Sequence, residues 1–332
     1  MEYHGSVEED AATQVVHVLI NPASQSGYSV KVWEKLAPSF LAAGWNCQVH
    51  MSSLDCGLAR LAQDLCREQE GQTERSSPQT FLVLGGDGTL NEVLNGIEDF
   101  SQVRIGYLPT GSSNDFARAI GIRTPQDAAA RILAGEKKGK LDLGEVSYAD
   151  ARTGEEKKRF FLVSAGMGFD AASCAGVERS PYKKLLNRFH MGKLIYLGVA
   201  VRLILTTRLL PFRIEVTSQG ITESLSFGKT LFAVCMNHGY EGGGFLFCPE
   251  AKGQDGKIDL CVASDIGRLR FFLLVPTAKK GNHVKHRGVT VRQGETISIT
   301  TEEAVYLHTD GEVLGQTSQV TVKIHHGILE LL

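Results

Sequence analysis

The sequence predicts an α/β fold in two parts: a largely parallel sheet flanked by helices, then an antiparallel β sandwich. Two observations carry this. Between residues 15 and 108, four apolar, strand-like runs alternate with stretches of helical spacing, the pattern of a sheet with crossover helices. From about Lys140 the runs become short and are separated by turn chemistry, as at 150–154 and 218–220, which is how sandwiches read. The expected division is a disordered lead-in over 1–14, an α/β unit over 15–138 and a sandwich over 139–315. Residues 316–332 would complete the first unit if the last strand returns to it.

Residues 15–20 are apolar and rich in β-branched side chains, an expected first strand ending in Asn21-Pro22-Ala23-Ser24-Gln25-Ser26-Gly27. A helix is expected over 30–43 and a second strand over 45–51. A second helix is expected over 53–65, where apolar or small residues recur at 54, 58, 61, 62 and 65. The polar stretch 71–78 reads as a surface loop. Phe81-Leu82-Val83-Leu84 then runs into Gly85-Gly86-Asp87-Gly88-Thr89, and apolar residues at 90, 93, 94 and 97 resume helical spacing. A fourth strand, 103–108, leads to Pro109-Thr110-Gly111-Ser112-Ser113-Asn114-Asp115-Phe116-Ala117-Arg118. Three polar, small-residue turns thus sit at the carboxyl ends of parallel strands, where ligands collect in such sheets.

In the second part, strands are expected over 140–148, 159–164, 212–217, 231–237, 258–263, 289–292 and 296–301. Helical intervals are expected near 181–207 and 266–280, and a last strand over 320–324.

With 332 residues, 42% of them hydrophobic and 22% charged, the chain reads as a soluble globular protein with room for two ordinary domains. A net charge of −2 implies no general pull toward nucleic acid or membrane, so no nucleic-acid partner is expected. Seven cysteines (47, 56, 66, 174, 235, 248, 261) include no C-x-x-C pair. That argues against a disulfide framework or zinc site and for a reducing cytoplasm. Residues 1–12 are acidic and polar, unlike a secretory signal. The apolar stretches 194–205 and 271–275 are interrupted by Arg202 or too short to span a bilayer.

A glycine turn between strand and helix aims backbone N–H groups at one point and lets a phosphate approach without meeting a Cβ. Asp87 would repel that phosphate unless a metal ion or proton donor stood between. G-x-x-x-x-G-K-[ST] and G-x-G-x-x-G are both missing, so any phosphate handling falls to the three rim turns. Phosphoryl transfer needs Mg²⁺, donors on the phosphates and a base for the acceptor's proton. Asp87 and Asp115 are the candidates for the metal, directly or through its waters. Glu312 in Asp310-Gly311-Glu312, after the strand-like 305–307, is the candidate base. Each motif alone fits an ordinary turn equally well; their convergence on one site is the stronger reading.

Together these residues resemble the soluble diacylglycerol kinase/sphingosine kinase superfamily, in particular its compact bacterial lipid kinases. The resemblance rests on Gly85-Gly86-Asp87-Gly88-Thr89-x-Asn91-Glu92, on Pro109-x-Gly111-Ser112-x-Asn114-Asp115-Phe116-Ala117-Arg118 and on Asp310-Gly311-Glu312. Asn21-Pro22-Ala23-Ser24, Gly166-Met-Gly168-Phe169-Asp170 and Gly242-Gly-Gly244…Pro249-Glu-Ala251-x-x-x-Asp255-Gly256 extend it from about residue 15 to the end. The glycine turn alone would also fit NAD kinases and phosphofructokinases; the Asn114–Arg118 element separates this chain from them.

The resemblance implies a three-layer Rossmann-like nucleotide-binding domain, with the active site in the cleft between it and the sandwich. It implies ATP-dependent transfer to a lipid hydroxyl, diacylglycerol first, with sphingoid bases, ceramide or another lipid as alternatives. A soluble metabolite kinase of NAD-kinase type and an inactive nucleotide- or lipid-binding regulator are the rival readings. Asn21, Ser53, Gly86, Asp87, Gly88, Thr89, Leu90, Asn91, Glu92 and Ser112 match nucleotide-contacting positions. Glu312 matches the acceptor-activating position, and Asp87 and Asp115 the Mg²⁺–ATP network. A second, structural Mg²⁺ is implied at Asp255, with the backbone carbonyls of Lys252 and Lys257. Gln25, where many relatives have glycine, and Ser53 and Ser112, where threonine is usual, are departures; no C1-type lipid-sensing module is present.

Lys183, Lys184, Arg188, His190 and Lys193 precede the apolar run 194–205, and the latter half of the second helical interval with the loop after it brings Lys279, Lys280, His283, Lys285, His286 and Arg287. A basic and apolar face resting on an anionic membrane is expected there, against the plainer reading of a solvated helix face. A homodimer is expected only through resemblance.

Overall fold

A computed structural model describes residues 15–70, 78–136, 139–178 and 206–332. The expected lead-in over 1–14, the loop over 71–77 and the segment carrying Lys183, Lys184, Arg188, His190, Lys193 and 194–205 lie outside the described residues.

The first half pairs four parallel strands in the order β2 (Asn46–Met51), β1 (Val15–Ile20), β3 (Gln79–Gly85) and β4 (Val103–Pro109). Every residue of β3 is buried, as a central parallel strand covered on both faces must be. The helices are α1 (Tyr28–Ala42), α2 (Leu58–Glu70), α3 (Asp87–Leu94), α4 (Asp115–Ala119) and α5 (Pro125–Leu133). Two of them start elsewhere than their periodicity suggests. The second helix begins at Leu58 and not at Ser53, because the Ser53 hydroxyl accepts from Cys56 N (3.1 Å) and closes a separate turn. Leu58 N then donates to Glu92 Oε1 (2.7 Å), which caps α2 from outside. Helix α3 starts at Asp87, directly on the glycine turn.

The second half is antiparallel: β5 (Gly139–Ala149), β6 (Glu156–Phe161), β7 (Ser164–Gly168), β8 (Leu210–Ser218), β9 (Ile221–Met236), β12 (Ile258–Ser264), β13 (Val289–Gly294), β14 (Thr296–Thr309) and β15 (Glu312–Leu331). A small hairpin, β10 (Tyr240–Glu241) and β11 (Phe245–Leu246), stands apart. Among the described residues, two helices, α6 (Phe169–Glu178) and α7 (Arg268–Ala278), lie among these strands. The single strand expected over 159–164 is two strands. Between them the N–H groups of Leu162, Val163 and Ser164 turn away from any neighbouring strand and donate to the Asp310 carboxylate. The runs at 231–237 and 296–301 are parts of the longer β9 and β14, each of which changes partner along its length.

Strand β15 joins the halves. It pairs with β14 and β5 in the sandwich, and its last residues pair in parallel with β4, Glu330 opposite Arg104 and Leu331 opposite Ile105. One 13-stranded sheet therefore runs through both halves. Leu329 and Leu331 bury their side chains in the α/β core with Val18, Leu82 and Ile105, while Val320 and Val322 belong to the sandwich core. Helix α7 leaves Leu269 and Leu273, one turn apart, 78% and 71% exposed. His283 is buried against the Phe247 ring, so it does not join the expected basic face. Among the described residues, no helix is long and apolar enough to cross a membrane.

Candidate active site

Parallel pairing brings the ends of β1, β3 and β4 to one rim. Asn21 N donates to Leu84 O (3.4 Å) and Thr110 N to Gly85 O (2.8 Å), so the three turns are stitched edge to edge. The second and third touch backbone to backbone. A Cβ on Gly111 would lie 2.3 Å from Gly86 Cα, closer than any side chain allows. Asn114 holds the third turn in a left-handed conformation (φ 51°); its Oδ1 accepts from Gly111 N (2.9 Å) and its Nδ2 donates to Gly111 O (2.8 Å).

Asp87 is the first residue of α3 and faces the start of α4. Its Oδ2 accepts from Asp115 N (2.8 Å) and its Oδ1 from Phe116 N (3.2 Å). Burial pushes the carboxyl up to about 7, with like charge from Asp115 and Asp310 adding to the effect and the two N–H groups opposing it. Asp115 is buried, and its Oδ2 accepts from Gly243 N (2.8 Å) in the β10–β11 turn. Its Oδ1 is buried with no hydrogen-bond partner, the Arg118 guanidinium standing 3.9 Å away. Burial raises this carboxyl too. Two neighbouring carboxylates, both held above their ordinary range, with one oxygen orphaned, are a donor set that fits a divalent cation.

The sandwich contributes the turn between β14 and β15. Asp310 is left-handed (φ 48°) and its buried carboxylate accepts from Leu162 N (2.9 Å), Val163 N (2.8 Å), Ser164 N (3.0 Å) and Asn91 Nδ2 (2.8 Å). That lattice locks the turn onto α3 and on to β6, since Asn91 Nδ2 also donates to Phe160 O (2.9 Å). Glu312, two residues on, lies over the glycine turn: a Cβ on Gly88 would be 3.1 Å from Glu312 Oε1. Arg159 Nη2 donates to Glu312 Oε2 (2.6 Å) and to Asn91 Oδ1 (2.7 Å), and Arg159 Nε also reaches Asn91 Oδ1 (3.1 Å). The structure thus assembles Asp87, Gly88, Asp115 and Glu312 in one place, with Arg159 and Asp310 added to them. Arg159 sits in Lys157-Lys158-Arg159, which reads as an ordinary solvated strand end. Asp310 was visible only as the first letter of the hairpin motif.

Not every candidate faces this place. Gly86, Asp87 and Gly88 are partly exposed on the rim, Asn21 is partly exposed with Oδ1 accepting from Ala23 N (2.9 Å), and Ser53 and Ser112 are exposed. Thr89, Leu90 and Asn91 are buried. Because α3 begins at Asp87, Leu90 N already donates to Gly86 O (3.1 Å), and Asn91 and Glu92 turn inward to Asp310 and Leu58. Of the run expected to touch nucleotide, Gly86, Asp87 and Gly88 reach the surface of the rim.

The loop of Lys252, Asp255 and Lys257 closes on itself. Asp255 Oδ1 accepts from Lys257 N (3.1 Å), Asp255 Oδ2 from Gln293 Nε2 (3.4 Å), and Lys252 O from Gln254 N (2.8 Å). Asp142 anchors the loop by accepting from Gly256 N (2.7 Å). The Asp255 carboxylate is exposed, and these hydrogen bonds close the loop around it. Among the described residues, the group of three side chains able to converge on a metal is Asp170, Glu241 and His308, behind the Glu312 hairpin.

Residues 15–146 match the diacylglycerol kinase catalytic domain, and residues 163–332 match the YegS C-terminal NAD kinase beta sandwich-like domain. A diacylglycerol kinase of Mycobacterium tuberculosis is 29% identical over 232 residues, 70% of this chain and 69% of that protein. A diacylglycerol kinase of Bacillus subtilis is 24% identical over 318 residues, 94% of each chain. The crystal structure of a diacylglycerol kinase from Bacillus anthracis superposes with a TM-score of 0.63 at 20% identity, covering 96% of both chains; at that identity the likeness shows the fold.

Proposed function

The chain belongs to the family of the YegS C-terminal NAD kinase beta sandwich-like domain, and from that premise we propose that it phosphorylates diacylglycerol at its free hydroxyl. It is a kinase with an alcohol acceptor, and ATP is its co-substrate. Relatives named diacylglycerol kinase support that acceptor, and the transfer to a hydroxyl is carried by the position of Glu312, a carboxylate from the sandwich held over Gly88 of the glycine turn. A base on one half and a phosphate cradle on the other leave the acceptor hydroxyl to enter between them.

In this reading the N–H groups at Gly86–Gly88 hold the phosphates, and Glu312 takes the proton of the acceptor hydroxyl as its oxygen attacks the γ-phosphorus, the bond from that phosphorus to the β,γ-bridging oxygen breaks and ADP leaves. General-base help of this kind is typically worth ~10²–10⁴-fold. Arg159 holds the Glu312 carboxylate in place. Asp87 and Asp115 would hold Mg²⁺, which when bound neutralises charge on the phosphate oxygens. Asp310 and Asn91 fix the hairpin and α3 relative to each other, so that base and cradle keep their spacing.

A lipid acceptor requires contact with a membrane, and α7 offers a surface for it. Exposed Leu269 and Leu273 stand beside Arg270, Lys279 and Lys280, and no acidic residue occurs between Asp265 and Glu295. Such a face binds an anionic interface by apolar insertion and charge together. The decisive experiment incubates the protein with γ-labelled ATP and vesicles carrying diacylglycerol, monoacylglycerol, ceramide or a sphingoid base, beside NAD without lipid. Labelled phosphatidic acid is expected. Label confined to NAD, or to another lipid, overturns the acceptor; no transfer at all overturns the kinase reading for this chain.

A further inference from the structure

Behind the hairpin that carries Glu312 lies a buried cluster that the transfer chemistry does not use. His308 is fully buried; its Nε2 lies 2.5 Å from Asp170 Oδ2 and 3.5 Å from Glu241 Oε1. Ser164 Oγ donates to Glu241 Oε1 (2.6 Å). The other ring nitrogen, Nδ1, accepts from Gly311 N (3.3 Å), the residue between Asp310 and Glu312. The cluster also explains a glycine: a Cβ on Gly166 would lie 2.4 Å from His308 Nε2 and 2.5 Å from Asp170 Oδ2.

Two roles compete for these side chains. Their ligand atoms lie within 4.8 Å of one another, so a divalent ion could be held. A neutral imidazole that ligates through Nε2 must carry its proton on Nδ1. Here Nδ1 faces the Gly311 N–H, and two donors would then oppose each other. The hydrogen-bond pattern instead selects the proton on Nε2, donated to Asp170, and a lone pair on Nδ1 for the hairpin; burial disfavours a second ring proton, against the pull of Asp170 and Glu241, which raises the imidazole to about 9. We infer that His308 is a positioning residue for the Glu312 hairpin, with Asp170 fixing its tautomer and ring orientation. This rests on Glu312 acting as the base.

Two substitutions separate the two ends of the ring. His308→Asn keeps an acceptor at the Nδ1 position and loses the reach to Asp170. His308→Gln reaches Asp170 and loses the acceptor for Gly311. In His308→Gln, kcat is expected to fall ~10²-fold, the size typical of a roughly 1 Å misplacement, with KM for ATP within about twofold of wild type. His308→Asn should recover most of that kcat. Hydrogen exchange of the Gly311 amide, followed by NMR in wild type and both variants after circular dichroism confirms folding, is the readout independent of turnover. Protection in wild type and His308→Asn and its loss in His308→Gln are expected. Equal protection in the two variants overturns the inference. So does a stoichiometric divalent ion in purified wild type that both variants lose. An inactive wild type with the expected exchange pattern overturns the kinase reading and leaves the positioning contact standing.

Discussion

Arg159 Nη2 meets Glu312 Oε2 at 2.6 Å, on strands that lie 153 residues apart in the chain. The same guanidinium holds Asn91 of α3, so one cation ties the candidate base to the helix that starts on the glycine turn. Glu312→Gln keeps the shape of this contact and removes the basicity. Its kcat should fall ~10²–10⁴-fold, as for loss of a general base, while ATP affinity measured by calorimetry stays within about twofold. Turnover close to wild type would show that some other group accepts the proton.

Arg159→Lys keeps the charge but cannot bridge Glu312 and Asn91 with a planar fork. A drop of roughly tenfold in kcat, with a stability loss of about 1–3 kcal/mol from weakened charge-assisted hydrogen bonds, is the expected pair of results. Urea denaturation and steady-state kinetics on the same preparation measure both. A loss of stability without any kinetic effect would assign Arg159 to the fold alone.

The sheet was legible because apolar runs such as 15–20 and 81–84 are long enough to announce buried strands and their turns fall at the carboxyl ends. Asp87, Asp115 and Glu312 could be singled out because a carboxylate beside a glycine turn needs an explanation. What surrounds them was not legible, since it depends on pairings far apart in sequence. Asn91 reads as one more residue of a glycine-turn motif until Asp310, 219 residues away, is seen to accept from it. His308 lies in ordinary strand sequence and Asp170 ends the Gly166–Asp170 match, but they are 138 residues apart and neither run says that the two side chains meet. Ser53 has the composition of a helix start, yet its hydroxyl closes a local turn that periodicity cannot detect.

Asp87 predicts a pH effect on the protein without nucleotide. Its carboxyl is raised from 3.8 to about 7 in the fold, so between those values the folded chain holds a proton that the unfolded chain has lost. Its contribution to stability is full below about pH 4 and falls as pH rises through about 7. Thermal unfolding of wild type and Asp87→Asn at pH 5 and pH 8 isolates the effect. The variant should lose less stability than wild type between the two; parallel shifts would mean that Asp87 does not titrate in this range.

Asp142 is fully buried and accepts from Gly256 N (2.7 Å), Gly327 N (2.7 Å) and His326 Nδ1 (2.8 Å). It therefore holds the 252–257 loop against the bulge in β15 that lets this strand pass from sandwich to α/β sheet. Asp142→Ala takes the acceptor from the half-buried Gly256 and Gly327 N–H groups, a loss of about 1–3 kcal/mol for each. A loss of roughly 3 kcal/mol or more is expected in urea unfolding. Added Mg²⁺ should not restore it if the hydrogen bonds alone close the loop. Recovery of stability with Mg²⁺ would support a structural metal at Asp255.

Gly111 tests the cradle without touching a charged group. Its missing Cβ is what lets the third turn lie against Gly86, since a methyl group there would stand 2.3 Å from Gly86 Cα and 2.7 Å from Asn114 Oδ1. Gly111→Ala must push the two turns apart by more than an ångström, since the Gly86 atoms it meets are backbone and no flexible side chain stands there to yield. Overpacking of this kind typically costs about 1–3 kcal/mol. Because Gly86 carries the N–H groups assigned to the phosphates, the displacement should weaken ATP binding by at least tenfold while the sandwich, with its own core, stays folded. Calorimetric titration of ATP with Mg²⁺, beside circular dichroism, measures the two effects separately. Undiminished ATP affinity in a folded Gly111→Ala protein would remove the Gly86–Gly111 contact from the phosphate site.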